Sequence, residues 1–256
     1  MFDTHIHSTF SCDSKMRIEA VAKSLRDNAI GGIITEHMDI AYPTNPLAFL
    51  FDVPEYFATF GSWRTDKLLL GIEIGMQPVC HEENRQIARG YAFDQIIGSI
   101  HVVDNADIYD ASFYEGREKQ VSYGAYLNGM LQAIREYDDF DTLGHIDYIC
   151  RYATYEDPEL YYDDTPELWD EIFQTLIEKG KAIEINTRRL DSPSACRALT
   201  KLYKRFKTLG GHFATIGSDA HREMEVGRRL PVAREIAEAA GLTPVYFKER
   251  QRILDR

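Results

Sequence analysis

The feature that most constrains the fold is the alternation of short apolar runs with longer stretches of helical periodicity. Seven runs are rich in β-branched residues and too short for buried helices, which predicts strands at Met1–Thr4, Gly32–Thr35, Leu68–Ile74, Gln95–Ile100, Thr142–Ile146, Ala182–Asn186 and Phe213–Gly217. Helical patterns are found at Lys15–Ala29, Ser122–Tyr137, Pro166–Lys179, Ser194–Leu209 and Val232–Ala240. This alternation predicts an α/β fold with a parallel sheet, and seven strands in one domain length favour a barrel over an open sheet.

Length and charge limit the class of protein. The chain has 256 residues and no linker rich in Pro, Gly or Ser, so we expect a single domain over residues 1–256. Its 41 acidic and 29 basic residues give a net charge of −12, which argues against nucleic acid as the partner. No apolar run approaches the roughly 20 residues that span a bilayer, and we see no signal peptide. Four scattered cysteines without a CxxC pair favour reduced thiols and a cytoplasmic location.

Each predicted strand delivers a histidine or an acid at or near its carboxyl end. The motifs are His5-Ile6-His7, Glu36-His37, Gly71-Ile72-Glu73, Gly98-Ser99-Ile100-His101, Gly144-His145-Ile146-Asp147, Glu184-Ile185-Asn186 and Gly217-Ser218-Asp219-Ala220-His221. Six of the eight histidines lie in these motifs. Because the carboxyl ends of the strands share one face of a parallel barrel, we expect these side chains to meet there. A lone histidine at a strand end is usually structural, but this clustering indicates metal binding.

The number of candidate ligands suggests more than one ion. His5 and His7 lie two residues apart on an extended chain and point the same way, so they can bind one ion together. Glu73 and Asp219 offer carboxylates that can bridge ions. The remaining candidates would serve a second and a third ion: His101 and His145, and then Asp13, His37 and His221. Since a catalytic zinc usually has about three protein ligands, this set suits two or three ions, and its mixture of imidazoles and carboxylates fits Zn, Mn or Fe.

The order of these motifs resembles that of the polymerase and histidinol phosphatase (PHP) superfamily. Within it, the chain is most similar to the bacterial monofunctional L-histidinol-phosphate phosphatases. The resemblance extends from residue 2 to about residue 230 and is more specific for the superfamily than for the substrate. It implies a distorted (β/α)7 TIM-like barrel that carries three divalent metal ions.

The resemblance also implies which residues bind each ion. Glu73 would be shared between the first two of the three ligand sets, which are His5, His7, Glu73 and Asp219; Glu73, His101 and His145; and Asp13, His37 and His221. Some superfamily members have histidine in place of Asp13, which leaves the identity of the metal open. Many have aspartate in place of Glu36, and we interpret Glu36 as a group that orients a ligand.

The expected reaction is hydrolysis of a phosphomonoester, L-histidinol phosphate, in histidine biosynthesis. A metal-bound hydroxide would attack phosphorus, and Glu73, Asp219 and His221 are the predicted catalytic residues. Arg151 and Arg188 follow the fifth and sixth strands and are predicted to bind the phosphate, because a guanidinium pairs with two phosphate oxygens at once. Arg189 competes with Arg188 for this role.

Other residues and functions remain open on the sequence alone. Asp104, Glu115 and Tyr152 are weak candidates for binding the amine or imidazole of the substrate. His81 is interpreted as an exposed loop residue, His212 as structural and Cys12 as a small buried residue. The alternative functions are a PHP phosphoesterase for a nucleotide, a cyclic diester or phosphotyrosine, and a non-catalytic metal-binding module. Amidohydrolases also begin with HxH, but they usually need a carboxylated lysine where this chain has His101. The sequence does not predict an oligomeric state.

Overall fold

Seven parallel strands form the centre of the molecule. The computed structural model describes residues 1–255 and contains strands β1 (Phe2–Ile6), β2 (Gly31–Met38), β3 (Leu68–Gly75), β4 (Ile96–Ser99), β5 (Val102–Val103), β6 (Ala106–Asp107), β7 (Thr142–Leu143), β8 (Ala182–Asn186), β9 (Phe213–Gly217), β10 (Thr243–Lys248) and β11 (Gln251–Leu254). The helices are α1 (Ile18–Asp27), α2 (Val53–Phe60), α3 (His81–Gly90), α4 (Lys119–Glu136), α5 (Pro166–Glu178), α6 (Pro193–Thr208) and α7 (Leu230–Ala240).

The main sheet has the order β1-β2-β3-β4-β7-β8-β9-β10-β11 and closes on itself between β1 and β9. A parallel bridge joins Ile6 to Ala220, where the amide N–H of His7 donates to the Ala220 carbonyl at 2.8 Å. At their amino ends the same two strands separate, and β10 pairs with β9 through Thr243 and Phe213. The sheet is therefore a seven-stranded barrel that is closed at one end and opened at the other, which confirms the predicted distorted barrel.

Helices cover the outside of the barrel because each has one apolar face. In α1 the buried residues Ile18, Val21, Ala22 and Leu25 recur every three to four positions. Helix α6 begins where its sequence predicted, since the Ser192 side chain caps the first turn and proline occupies the first helical position. All five predicted helices are present with ends shifted by a few residues.

The β10–β11 hairpin, which the sequence did not predict, covers the amino-terminal end of the barrel. Its turn residue Arg250 donates from the side chain to Asp141 and from the backbone N–H to the Asp94 carbonyl. Beyond β11, Asp255 accepts a hydrogen bond from the Phe2 amide at 3.0 Å and pairs with the chain's amino terminus. The two ends of the chain are thus joined on the face opposite the histidines.

Two further helices were not among the five predicted. Helix α2 lies between β2 and β3, and α3 follows β3. His81 is the first residue of α3 and packs against the ring of Tyr137, so the interpretation of this histidine as part of an exposed loop was wrong. None of the helices within residues 1–255 is both long enough and apolar enough to span a membrane.

Candidate metal centre

The carboxyl ends of the strands bring the nine predicted ligands to one rim of the barrel. His5 lies on β1, His37 on β2 and Glu73 on β3, so that neighbouring parallel strands present their side chains side by side. The loops after strands supply the other six, which are His7, Asp13, His101, His145, Asp219 and His221. Eight of the nine form overlapping groups of three whose ligand atoms lie within 4.8 Å of one another, and Asp13 adjoins His37 and His221 at the edge of these groups.

The first group surrounds the point between β1 and β9. The Nε2 atoms of His5 and His7 lie 3.0 Å apart. Glu73 Oε2 lies 3.3 Å from His5 Nε2 and 3.4 Å from His7 Nε2. Asp219 Oδ1 lies 3.5 Å from His7 Nε2. Asp219 has a positive φ of 56°, and this left-handed conformation aims its side chain into the group.

The second group shares Glu73 with the first. Glu73 Oε1 lies 2.8 Å from His145 Nε2 and 3.4 Å from His101 Nε2, and it accepts a hydrogen bond from Ser99 at 2.7 Å. One carboxylate oxygen therefore faces each group, which is the arrangement required for a bridging ligand.

The third group lies closest to solvent. Asp13 Oδ2 is 3.1 Å from His221 Nε2 and 3.6 Å from His37 Nε2, and the two imidazole nitrogens are 3.4 Å apart. Asp13 is the most exposed of the nine ligands, with 42% of its side chain accessible.

Charges in the cluster keep its carboxylates ionised in spite of burial. Burial favours the neutral acids, but His5, His37 and His101 hold the pKa of Glu73 well below its ordinary value. Arg151 and His5 do the same for Asp219. Burial and the neighbouring His37 and His221 lower the pKa of His7, whereas burial alone is the chief cause of the lowered pKa of His145.

The donor set fits divalent cations. Glu73 Oε2 is buried and accepts no hydrogen bond, although imidazole nitrogens of His37, His5 and His7 lie 2.9, 3.3 and 3.4 Å from it. An unpaired buried carboxylate oxygen is costly unless a cation neutralises it. Imidazole nitrogens and carboxylate oxygens are ordinary ligands of zinc and its neighbours. These residues can therefore hold metal ions.

Glu184 was expected at this face as part of a strand-end motif but was given no role, and the structure shows that it fixes two of the ligands. Its Oε1 lies 2.7 Å from His5 Nδ1, and its Oε2 accepts the backbone N–H of His145 at 2.6 Å. A carboxylate on Nδ1 leaves Nε2 free to face a metal. The signal in the sequence was an acid in the middle of an apolar strand, where only a specific partner makes burial tolerable.

Asp39 and Glu36 orient other ligands through hydrogen bonds, directly or through a serine. Asp39 Oδ1 lies 2.7 Å from His101 Nδ1, and this contact was missed although Asp39 follows His37 by two residues. Glu36 is buried and accepts hydrogen bonds from Ser8 and Ser11, and Ser11 Oγ lies 3.0 Å from His7 Nδ1. Glu36 thus acts on His7 through a serine, in agreement with an orienting role.

Two of the three arginines considered lie at the cluster. Arg151 donates from Nη1 to Asp219 Oδ2 at 2.6 Å and from Nη2 to Asn186 Oδ1 at 2.9 Å. Arg188 is more exposed and donates from Nη1 to the Asp219 carbonyl at 2.8 Å. Arg189 points away, because its guanidinium pairs with Asp147 and Glu159.

A cleft of about 350 Å³ opens above the cluster. Its walls include both arginines, the outer ligands and three tyrosines, Tyr109, Tyr148 and Tyr152. Of the weak substrate-binding candidates, only Tyr152 lines this cleft.

Asp104 and Glu115 are exposed and do not line the cleft. They fail as candidates because the short β5–β6 hairpin and the turn after it direct them to solvent. His212 lies exposed before β9 at the opposite end of the barrel, beside Lys207. Cys12 is exposed because it lies on the turn after β1, so its interpretation as a small buried residue was wrong, and none of the groups of potential ligands includes it.

Comparison with known proteins places this geometry in a family. The PHP domain family matches residues 3–188. A protein of Clostridium acetobutylicum named probable histidinol-phosphatase is 41% identical over 250 residues, which cover 98% of both chains. The histidinol-phosphatase of Lactococcus lactis is 32% identical, with 93% of this chain and 91% of its own covered.

A solved structure agrees with these sequence comparisons. Histidinol phosphate phosphatase from Lactococcus lactis, in complex with zinc, L-histidinol and phosphate, has a TM-score of 0.93 to this chain. The match covers 98% of each chain at 29% identity. The motif order, the distorted barrel and these relatives together lead to one conclusion: the chain belongs to the PHP domain family.

Proposed function

We propose that this protein hydrolyses L-histidinol phosphate to L-histidinol and phosphate. The observation that carries the proposal is the cleft in which buried imidazoles and carboxylates meet two arginines. A chain with the same fold over 98% of its length binds zinc, L-histidinol and phosphate, and relatives at 41% and 32% identity are named histidinol-phosphatases.

The centre is proposed to hold three divalent ions, with zinc as the first metal to test. Glu73 would be shared by two of them, and the groups around Asp219, His145 and His221 would complete the three sets of ligands. When bound, the ions supply an activated water and neutralise the phosphate oxygens. Three divalent ions would carry six positive charges, and the carboxylates of Asp13, Glu73 and Asp219 contribute three negative charges. The resulting centre of about +3 would attract a phosphate dianion to an otherwise acidic protein.

The two arginines that line the cleft are placed to bind the phosphate. Arg151 is held rigidly by Asp219 and Asn186, and its side chain is only 9% exposed. Arg188 reaches the same cleft from the loop after β8. A planar guanidinium presents two parallel N–H donors, so each arginine can bind two phosphate oxygens in a fixed orientation.

The tyrosines form the end of the cleft that accepts the organic part of the substrate. Tyr109 and Tyr152 pack edge to face with ring centroids 4.8 Å apart, and Tyr148 contacts both Tyr152 and His145. An imidazole ring stacks favourably on such aromatic faces. This surface favours an aromatic substrate over a simple sugar phosphate.

The proposal is tested by measuring metal content and phosphate release with the purified full-length protein. Histidinol phosphate should give the highest kcat/KM in a panel with a nucleotide, a cyclic diester and phosphotyrosine. A preference for one of those three would overturn the assigned substrate while leaving the metal centre in place. Because all four cysteines are thiols, we further propose a reducing compartment, the cytoplasm, as its location.

A further inference from the structure

Glu225 lies beneath the outer edge of the cleft, on the loop between β9 and α7. Its Oε2 accepts the backbone N–H of His221 at 3.0 Å and lies 3.5 Å from Nη1 of Arg188. Only 18% of its side chain is exposed. One carboxylate oxygen therefore contacts both a predicted metal ligand and a predicted phosphate-binding arginine.

Two acidic residues, Glu225 and Asp191, lie beside Arg188, and they have different partners. Asp191 is the other acid beside Arg188, but it forms an ion pair with Arg229 at 2.8 Å. Within residues 1–255, Glu225 is the acidic side chain at ion-pair distance from the Arg188 guanidinium. A polar cavity of about 80 Å³ lies between these groups, so an unrestrained Arg188 side chain would have space in which to move.

The contacts of Arg188 are all on one side of its guanidinium. Nη1 donates to the Asp219 carbonyl and faces Glu225, while Nε and Nη2 make no hydrogen bond to residues 1–255. The Nε–Nη2 edge is therefore free, and this edge offers two parallel donors to a phosphate. Fixing a long arginine side chain in advance also removes part of the rotamer entropy that binding would otherwise cost.

We infer that Glu225 is a positioning residue, which holds Arg188 with its free edge toward the phosphate and couples it to the His221 backbone. This inference rests on the proposed function, because it assigns Arg188 to the phosphate of the substrate. Glu225 itself touches neither the substrate nor the proposed ions.

The Glu225→Gln variant separates the two contacts of this residue. The amide oxygen can still accept the His221 N–H, but the charge facing Arg188 is lost. We expect KM for the phosphomonoester and the inhibition constant of inorganic phosphate to rise together by about fivefold, as for the loss of about 1 kcal/mol. We expect kcat to change by less than about twofold, and metal content to be unchanged. Glu225→Ala removes both contacts and should in addition lower metal retention.

The matched control is Asp191→Asn, which removes one negative charge beside the same cavity without touching Arg188. It should leave KM and phosphate inhibition unchanged. In an Arg188→Ala background, Glu225→Gln should have no further effect on either constant, because residues that act through one contact are not additive.

The outcomes distinguish this inference from the proposed function. If Arg188→Ala raises KM and Glu225→Gln does not, the positioning role is overturned and the phosphate site stands. A lowered KM in Glu225→Gln would also overturn it, since Glu225 would then compete with phosphate. If Arg188→Ala changes neither KM nor phosphate inhibition, the assignment of Arg188 in the proposed function fails, and this inference fails with it.

Discussion

His5 Nδ1 lies 2.7 Å from Glu184 Oε1, and both side chains are completely buried in the barrel. Because Glu184 holds the proton on Nδ1, the lone pair of Nε2 is directed toward the cluster. Glu184→Gln should therefore weaken zinc binding by about 10- to 100-fold, the usual effect of losing a carboxylate behind a histidine ligand. Chelator competition measures this affinity. Glu178→Gln, an exposed residue at the end of α5, is the control and should bind zinc as the unmodified protein does.

Arg151 is predicted to bind the phosphate of the substrate. Arg151→Ala removes two donors from the cleft, and we expect KM for a phosphomonoester to rise about tenfold or more, since hydrogen bonds to charged groups contribute roughly 1.5–3 kcal/mol. Arg151→Lys keeps the charge and should recover part of the loss. Arg197→Ala, on the exposed face of α6, controls for net charge. An unchanged KM in Arg151→Ala would contradict the assignment.

Gly217 is predicted to be essential for the spacing between β9 and β1. A Cβ at this position would lie 2.4 Å from His5 Cβ and 2.5 Å from Glu184 Oε1, both of them buried. Gly217→Ala should therefore lower the melting temperature and reduce metal content. Gly124→Ala offers a matched control on α4, where a Cβ would meet no atom within 4 Å. There the change should stabilise the protein by about 0.5–1 kcal/mol.

Metal uptake should depend on pH. In the metal-free protein burial favours neutral His101, but Asp39 and Glu73 outweigh it and raise the pKa of His101 to about 9. A metal must displace that proton, so the apparent zinc affinity should increase as pH rises from 6 to 9. Binding should release protons over this range, which calorimetry in buffers of different ionisation enthalpy detects. Asp39→Asn should reduce the proton release, whereas a pH-independent affinity would argue against His101 as a ligand.

The hairpin at the opposite end of the barrel should affect stability and leave catalysis unchanged. Arg250 Nε donates to Asp141 Oδ2 at 2.6 Å, and Asp141 is largely buried. Arg250→Ala should lower the free energy of unfolding by about 1–3 kcal/mol, because it leaves a buried carboxylate short of a donor. Denaturant unfolding measures the loss, with the exposed Gln251→Ala as control. A large fall in kcat would contradict the separation of stability from catalysis between the two faces.

The barrel strands were predictable because apolar runs with β-branched residues report burial directly. The β10–β11 hairpin was not, since β11 is exposed along its length and Asp255 meets Phe2 from the other end of the chain. Helix α3 was missed because it buries only Asn84 and Ala88, so its sequence lacks the apolar stripe by which a helix is recognised.

The ligands were predictable as a set because their positions repeat at every strand end. The supporting role of Glu36 was predicted, but that of Glu184 was not, because Glu184 is 179 residues from His5 and pairs with it only through the closed sheet. The choice between Arg188 and Arg189 was equally beyond the sequence. Adjacent side chains on one loop point to different sides, and Asp147 with Glu159 holds Arg189 away from the cleft.

The central claim is that histidines and carboxylates from distant parts of the chain jointly bind a cluster of metal ions. The most direct measurement is anomalous diffraction at the zinc absorption edge, from crystals of the full-length protein grown with zinc. The account predicts three peaks, with Glu73 between two of them and the third beside Asp13, His37 and His221. Crystals that diffract well and show no peak among these residues would contradict it.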